Sequence, residues 1–232
     1  MSNIEIKLKT QNSKLRTMYT RLVRWAFGRF YREFAWTYDI VAAAVSRGRW
    51  AAWGRAALPY LRGRTLELGC GTGALQPALA ERLAGAPIGL DASAQMLDRT
   101  KRTLTQAGQP VSLVRALAQS LPFPPAAFDS IVATFPSEYI ADPATLAEAR
   151  RVLRPRGRLV IALAAAFEGD GLYERLVGLA YRLTLQRPPR AQPDVAPRSV
   201  VGERLAQAGF EVEERWGPAA GDRVHLIIAT RP

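Results

Sequence analysis

Thr65-Leu66-Glu67-Leu68-Gly69-Cys70-Gly71-Thr72-Gly73 decides how this chain is read. Four residues of strand character run directly into three glycines at alternate positions, which let the backbone turn tightly and approach a ligand closely. The helical pattern that follows offers free N–H groups and a positive dipole end, so a polar or anionic ligand is expected there. Asp91 stands eighteen residues beyond Gly73, at the end of the next strand-like run. Parallel nucleotide-binding sheets keep a carboxylate at that place for ribose hydroxyls. Gly69, Gly71 and Ala74 also satisfy the looser dinucleotide pattern, so a nicotinamide or flavin enzyme stays open on the glycines alone. Glu67 argues against it, because a carboxylate repels phosphate and suits a ligand bearing ammonium and sulfonium groups.

Outward from this stretch, short β-type runs alternate with helical ones. Strands are expected at 65–68, 87–90, 111–114, 128–135 and 158–162, and helices at 74–83, 93–106 and 145–153. That alternation specifies an α/β fold, a Rossmann-like doubly wound sheet that is mostly parallel. Helices at 171–185 and 199–208 flank a proline cluster at 187–197 that reads as surface loop. Strands at 210–216 and 224–230 are joined through the six-residue turn 217–222, too short for a crossover helix, so they should form an antiparallel C-terminal pair. Residues 15–34 and 38–60 form the expected N-terminal helices.

The chain has 232 residues, 48% of them hydrophobic, enough for a sizeable core and too apolar for a fully disordered chain. One cysteine, Cys70, excludes an internal disulfide framework, and a single histidine, His225, leaves too few soft ligands for structural zinc. No metal is expected. No apolar run of about 18 residues appears and the N-terminus lacks signal-peptide layout, so a cytoplasmic protein, peripheral at the membrane at most, is the expectation. The formal net charge is +12, but residues 1–64 carry 13 basic and 3 acidic side chains, leaving 19 and 17 for the remainder. Residues 1–63 are therefore read as a basic amphipathic extension that caps a pocket, and 64–232 as the catalytic domain with an insertion at about 170–197.

Five segments in order carry a family resemblance: Leu66 to Gly73; Gly89-Leu90-Asp91-Ala92-Ser93-Ala94-Gln95-Met96-Leu97; Ala118-Gln119-Ser120-Leu121-Pro122-Phe123; Phe128-Asp129-Ser130-Ile131-Val132; and Glu148 to Ile161 through Pro155-Arg156-Gly157. The chain resembles the class I S-adenosylmethionine-dependent methyltransferases, and within them the group that includes the ubiquinone and menaquinone biosynthesis enzymes. The resemblance implies that Gly69, Gly71 and Gly73, with Thr72, line the methionine and ribose part of S-adenosylmethionine, and that Glu67 holds its amino group directly or through water. It implies further that Asp91 binds both ribose hydroxyls, that Ala92 and Ala118 meet the adenine, and that Thr134 lines the floor. Leu117 stands where the family often has aspartate, with Gln119 as a partial substitute. Arg156 stands where it usually has glycine.

The proton acceptor is not identified by these motifs. Tyr38, Glu138 and Tyr139 are the candidate catalytic residues, Tyr38 for positioning and the other two from the end of the fourth strand, where such sheets bind ligands. The expected reaction is in-line methyl transfer to a small-molecule acceptor, lipid-like or a quinone precursor. An NAD(P)-dependent oxidoreductase and a non-catalytic cofactor-binding protein are the alternatives. In residues 14–36, Leu15, Tyr19, Leu22, Val23, Phe27, Phe30 and Phe34 share one helical face and Lys14, Arg21, Arg24, Arg29 and Arg32 the other. That face is read as a pocket cap, and the basic side as a contact for anionic membrane. Nucleic acid is disfavoured, since no aromatic stacking motif accompanies the basic helix.

Overall fold

The computed structural model describes residues 49–83, 86–166 and 198–232. The expected helix at 15–34, the first part (38–48) of that at 38–60, the helix at 171–185 and the proline cluster lie outside the described residues, as does Tyr38. The described residues all belong to one unit, 45–232.

A short helix, α1 (Trp50–Arg55), and a 3-10 turn at Leu58–Tyr60 lead into β1 (Thr65–Leu68). The α/β alternation follows as α2 (Gln76–Arg82), β2 (Ile88–Asp91), α3 (Ala94–Gln106), β3 (Leu113–Arg115) and β4 (Phe128–Thr134). After a second 3-10 turn at Glu138–Ala141 come α4 (Pro143–Val152), β5 (Leu153–Ala166), α5 (Val200–Gln207), β6 (Glu211–Ala219) and β7 (Asp222–Thr230). Seven strands form one sheet in the order β3-β2-β1-β4-β5-β7-β6. The first five are parallel and β7 runs antiparallel to both β5 and β6. Strand order reverses beside β1, where β2 lies on one side and β4 on the other, and the crevice at that switch point is where open sheets take ligands.

Every residue of β1 is buried, as a central parallel strand covered on both faces requires. Alternate residues then divide between two cores. Leu66, Leu68, Ile131, Ile161 and Ile227 pack with Leu146 and Leu205 on one face, and Val132, Val160 and Leu226 pack with Trp53, Leu75 and Leu79 on the other. Three of the helix starts, those of α3, α4 and α5, are set by side-chain caps. Ser93 Oγ accepts from Met96 N, Asp142 Oδ1 from Ala144 N ahead of Pro143, and Ser199 Oγ from Gly202 N.

Strand boundaries differ from the sequence expectation most in the closing hairpin and at β5. The six-residue connection at 217–222 is a two-residue turn, because Ala219 pairs with Asp222 and both Ala220 and Gly221 take positive φ. Pro218 is accommodated because β6 is an edge strand and owes no N–H to a further neighbour. β5 begins at Leu153 rather than Arg158, running through Pro155-Arg156-Gly157 with a register shift against β4. Arg156 adopts φ 62° there, while its N–H bonds Arg231 O and Gly157 O receives Arg231 N–H.

Candidate active site

The loop between β1 and α2 is fixed from three sides. Gly69 N–H and Cys70 N–H both donate to Leu90 O, at 2.7 and 3.0 Å, tying the loop to the end of β2. Asp91 accepts from Gly71 N–H at 3.0 Å through Oδ2 and from Ser93 N–H at 2.8 Å through Oδ1. One carboxylate thus ties the glycine loop to the start of α3, and each oxygen keeps lone-pair capacity for another donor. From α3, Thr100 Oγ1 donates to Gly71 O at 2.7 Å and Thr103 Oγ1 to Thr72 O at 2.9 Å.

Two of the glycines are required by close approach. A Cβ on Gly73, at φ 79°, would lie 2.7 Å from Thr100 Cγ2 and 3.0 Å from Thr100 Cα. A Cβ on Gly69, at φ 68°, would lie 2.6 Å from the Tyr139 hydroxyl, which itself donates to Leu68 O at 3.0 Å. Gly71 differs, since a Cβ there would meet nothing nearer than Gly69 O at 4.0 Å. The open side of the loop is therefore at Gly71, next to Asp91.

Beneath the loop, Glu67 is buried and its Oε2 accepts from Gln76 Nε2 at 2.7 Å. Burial pushes its carboxyl up to about 8, against the lowering effect of the Gln76 bond and with a further push from Asp91. Gln76 Oε1 is buried with no hydrogen-bond partner among the described residues. Cys70 is buried 3.7 Å from Thr100 Oγ1, and burial together with the Glu67 charge raises its thiol, which makes it a packing residue rather than a nucleophile. Burial and the charges of Asp91 and Glu67 likewise raise the Tyr139 phenol.

The structure thus brings together Glu67, Gly69, Gly71, Thr72, Gly73, Asp91 and Tyr139. Ala92 is exposed beside Asp91, its carbonyl accepting from Arg115 Nε at 3.2 Å. Ala116 N–H bonds Asp91 O, which lays 116–119 along the end of β2. There Ala118 is buried, Leu117 is 59% exposed, and Gln119 Nε2 donates to Asp142 Oδ2 at 3.2 Å, leaving its Oε1 as the amide acceptor. Thr134 ends β4 under α1, with its Cγ2 3.5 Å from where a Cβ of Gly54 would stand. Glu138 is exposed at the head of the 3-10 turn that carries Tyr139. Sequence reading missed Gln76, Thr100 and Thr103. The threonines' spacing of three on one helix face was their available signal.

A family model described as a methyltransferase domain matches residues 66–161. A demethylmenaquinone methyltransferase of Thermus thermophilus is 36% identical over 163 residues, covering 68% of this chain and 72% of that protein. The chain belongs to the class I S-adenosylmethionine-dependent methyltransferase family. A phosphatidylethanolamine N-methyltransferase of Cereibacter sphaeroides is 36% identical over 142 residues, 59% of this chain and 66% of that one. Among solved structures, an S-adenosylmethionine-dependent methyltransferase of Thermotoga maritima superposes with a TM-score of 0.59 at 19% identity, covering 88% of this chain and 99% of that one, a likeness of fold. The resemblance read in the five sequence segments, the α/β sheet and its antiparallel C-terminal pair therefore all stand. No helix among the described residues is long and apolar enough to cross a membrane, and they contain no cluster of three or more metal-ligating side chains.

Proposed function

We propose that this methyltransferase binds S-adenosylmethionine on the open side of the Gly71 loop and methylates a small, lipid-like or quinone-type acceptor. The observation that carries the binding assignment is the pairing of an uncrowded Gly71 with Asp91, whose two oxygens keep capacity for ribose hydroxyls while they hold the loop. Glu67 and the partnerless Gln76 Oε1 are two buried acceptors suited to an ammonium group, reached directly or through water. The residues present thus fit the group. When bound, it supplies an electrophilic methyl on sulfur, and no covalent bond to the protein is needed.

The chain's own contribution is alignment, exclusion of water and removal of one proton. Alignment is worth up to about 7–11 kcal/mol of a barrier, so a rigid loop matters more than a reactive side chain. Tyr139 serves as a positioning residue, since its hydroxyl is committed to Leu68 O and crowds Gly69. Glu138 is assigned the acceptor's proton and Tyr38 a positioning role. Ala92, Ala118, Gln119 Oε1 and exposed Leu117 form the adenine surface, Thr72 lies in the loop beside the ribose, and Thr134 closes the floor. Residues 1–63 act as the cap, with residues 14–36 touching anionic membrane from which an apolar acceptor is drawn. The two relatives named for a quinone and a phospholipid acceptor support that substrate class.

Calorimetric titration with S-adenosylmethionine tests the core of this reading. Binding by the wild type and loss in Asp91→Ala are expected, and equal affinity in both, or none in the wild type with binding of NAD(P)H instead, would sink it. Liposome co-sedimentation with and without residues 1–35 tests the membrane contact, which fails if both partition equally.

A further inference from the structure

Away from the glycine loop, α4 and α5 enclose a groove of about 870 Å³ whose lining shares no residue with the site described above. Its floor is apolar, formed by Ala141, Pro143, Leu146, Ala147 and Ala208, and four arginines line it: Arg150, Arg151, Arg204 and Arg231. Arg151 is neutralised, because Glu148 receives its Nε–H and one NH2 hydrogen while also accepting from Leu121 N–H. Among the described residues, the side chain of Arg204 bonds only the Ala141 carbonyl, at 2.7 Å, and that of Arg231 only the Leu153 carbonyl. Arg150 is exposed, and its side chain makes no hydrogen bond or ion pair among the described residues. Among the described residues no carboxylate lines the groove, so three guanidinium groups line it without a counter-charge there.

We propose that this groove is a binding site for a small, soluble phosphorylated ligand whose apolar portion rests on the exposed Pro143 and Ala147. Converging like charges repel one another, and an anion placed among them relieves that cost. Arginine forks match phosphate oxygens in pairs, while the carbonyl bonds to Ala141 and Leu153 hold two of the three in place before a ligand arrives. The volume suits a small molecule rather than a polymer or a flat bilayer. The site stands independently of the methyl-transfer reading.

Isothermal titration of the full chain with inorganic pyrophosphate at constant ionic strength is the test. Binding by the wild type is expected, about tenfold or more weaker in Arg150→Ala and in Arg204→Ala, and unchanged in Arg102→Ala on α3. The Arg150 side chain makes no hydrogen bond or ion pair among the described residues, so its variant keeps the fold's contacts even if Arg204→Ala, which frees Ala141 O, melts early. No pyrophosphate binding, equal binding by all variants, or capture of phosphatidylglycerol vesicles through Arg150 and Arg204 that pyrophosphate does not displace would each overturn the assignment.

Discussion

Raising the pH should destabilise the ligand-free protein through one residue, Glu67. Its carboxyl titrates near 8 in the folded chain against 4.5 for an ordinary glutamate, chiefly because burial disfavours the charged form. Between those values the folded state holds a proton that the unfolded state has released, so unfolding free energy falls as pH rises. The stability is fully present below about pH 4.5, declines through the interval and levels off above pH 8. At about 1.36 kcal/mol per unit, the span corresponds to roughly 5 kcal/mol, a large part of the 5–15 kcal/mol typical of a domain. For a chain of this size that is about 10–20 °C in melting temperature. Glu67→Gln keeps the shape and the hydrogen bond with Gln76 but cannot ionise. Thermal melts of both proteins from pH 5 to 9, without ligand, should show the variant gaining on the wild type as pH rises. Parallel curves would mean that the carboxyl is ionised beneath the loop throughout, and the desolvation reasoning would be wrong.

Binding of a cationic ligand beside Glu67 should expel its proton, so calorimetry at pH 7 in two buffers of different ionisation enthalpy should show proton release for the wild type and none for Glu67→Gln. Gly69→Ala should cost about 1–3 kcal/mol and weaken S-adenosylmethionine binding. In a double-mutant cycle with Tyr139→Phe part of that cost should disappear, because the new Cβ faces the tyrosine hydroxyl 2.6 Å away; strict additivity by denaturant melts would contradict the contact. Thr100→Val, which keeps its shape and loses the bond to Gly71 O, should lower stability by about 1–2 kcal/mol in the same assay. Arg156→Gly should raise it by about 1 kcal/mol, because the exposed arginine occupies φ 62° and glycine does not pay for it; a loss would show that the side chain holds the β5 bend.

The sheet was legible because its signals are local. The 65–68 run, the helix at 93–106 and the two closing strands each follow from a few neighbouring residues. The glycine loop and Asp91 were legible for the same reason, as spacing along one strand-loop-strand stretch. What escaped was set by distant chain. Pro155-Arg156-Gly157 reads as a stop, yet pairing of Arg156 N–H and Gly157 O with Arg231 carries β5 through it. Gly217 and Pro218 read as loop, and become strand because β7 supplies a partner and the edge position makes no demand on proline. Gln76 looks like a surface residue opening a helix. Only the placement of Glu67 beneath that helix makes it a buried hydrogen-bond donor.

Charge shows the same limit most sharply. Residues 65–232 carry 19 basic and 17 acidic side chains, which reads as a neutral body. In the fold many of those acids are consumed as internal acceptors. Asp91 serves the Gly71 and Ser93 amides, Asp142 the start of α4, and Glu148 both Arg151 and the Leu121 amide. Glu214 takes the Ser199 amide and lies 2.9 Å from His225, while Asp222 takes Trp53 and Arg49. Glu148 still neutralises Arg151, but an acid such as Asp91, spent on two backbone N–H groups, is poorly placed to neutralise an arginine on the surface. Arginines at helix ends and strand ends, by contrast, reach outward on long stems. Near-neutral composition therefore yields local positive fields, and the α4–α5 groove is where three such charges converge on one apolar floor.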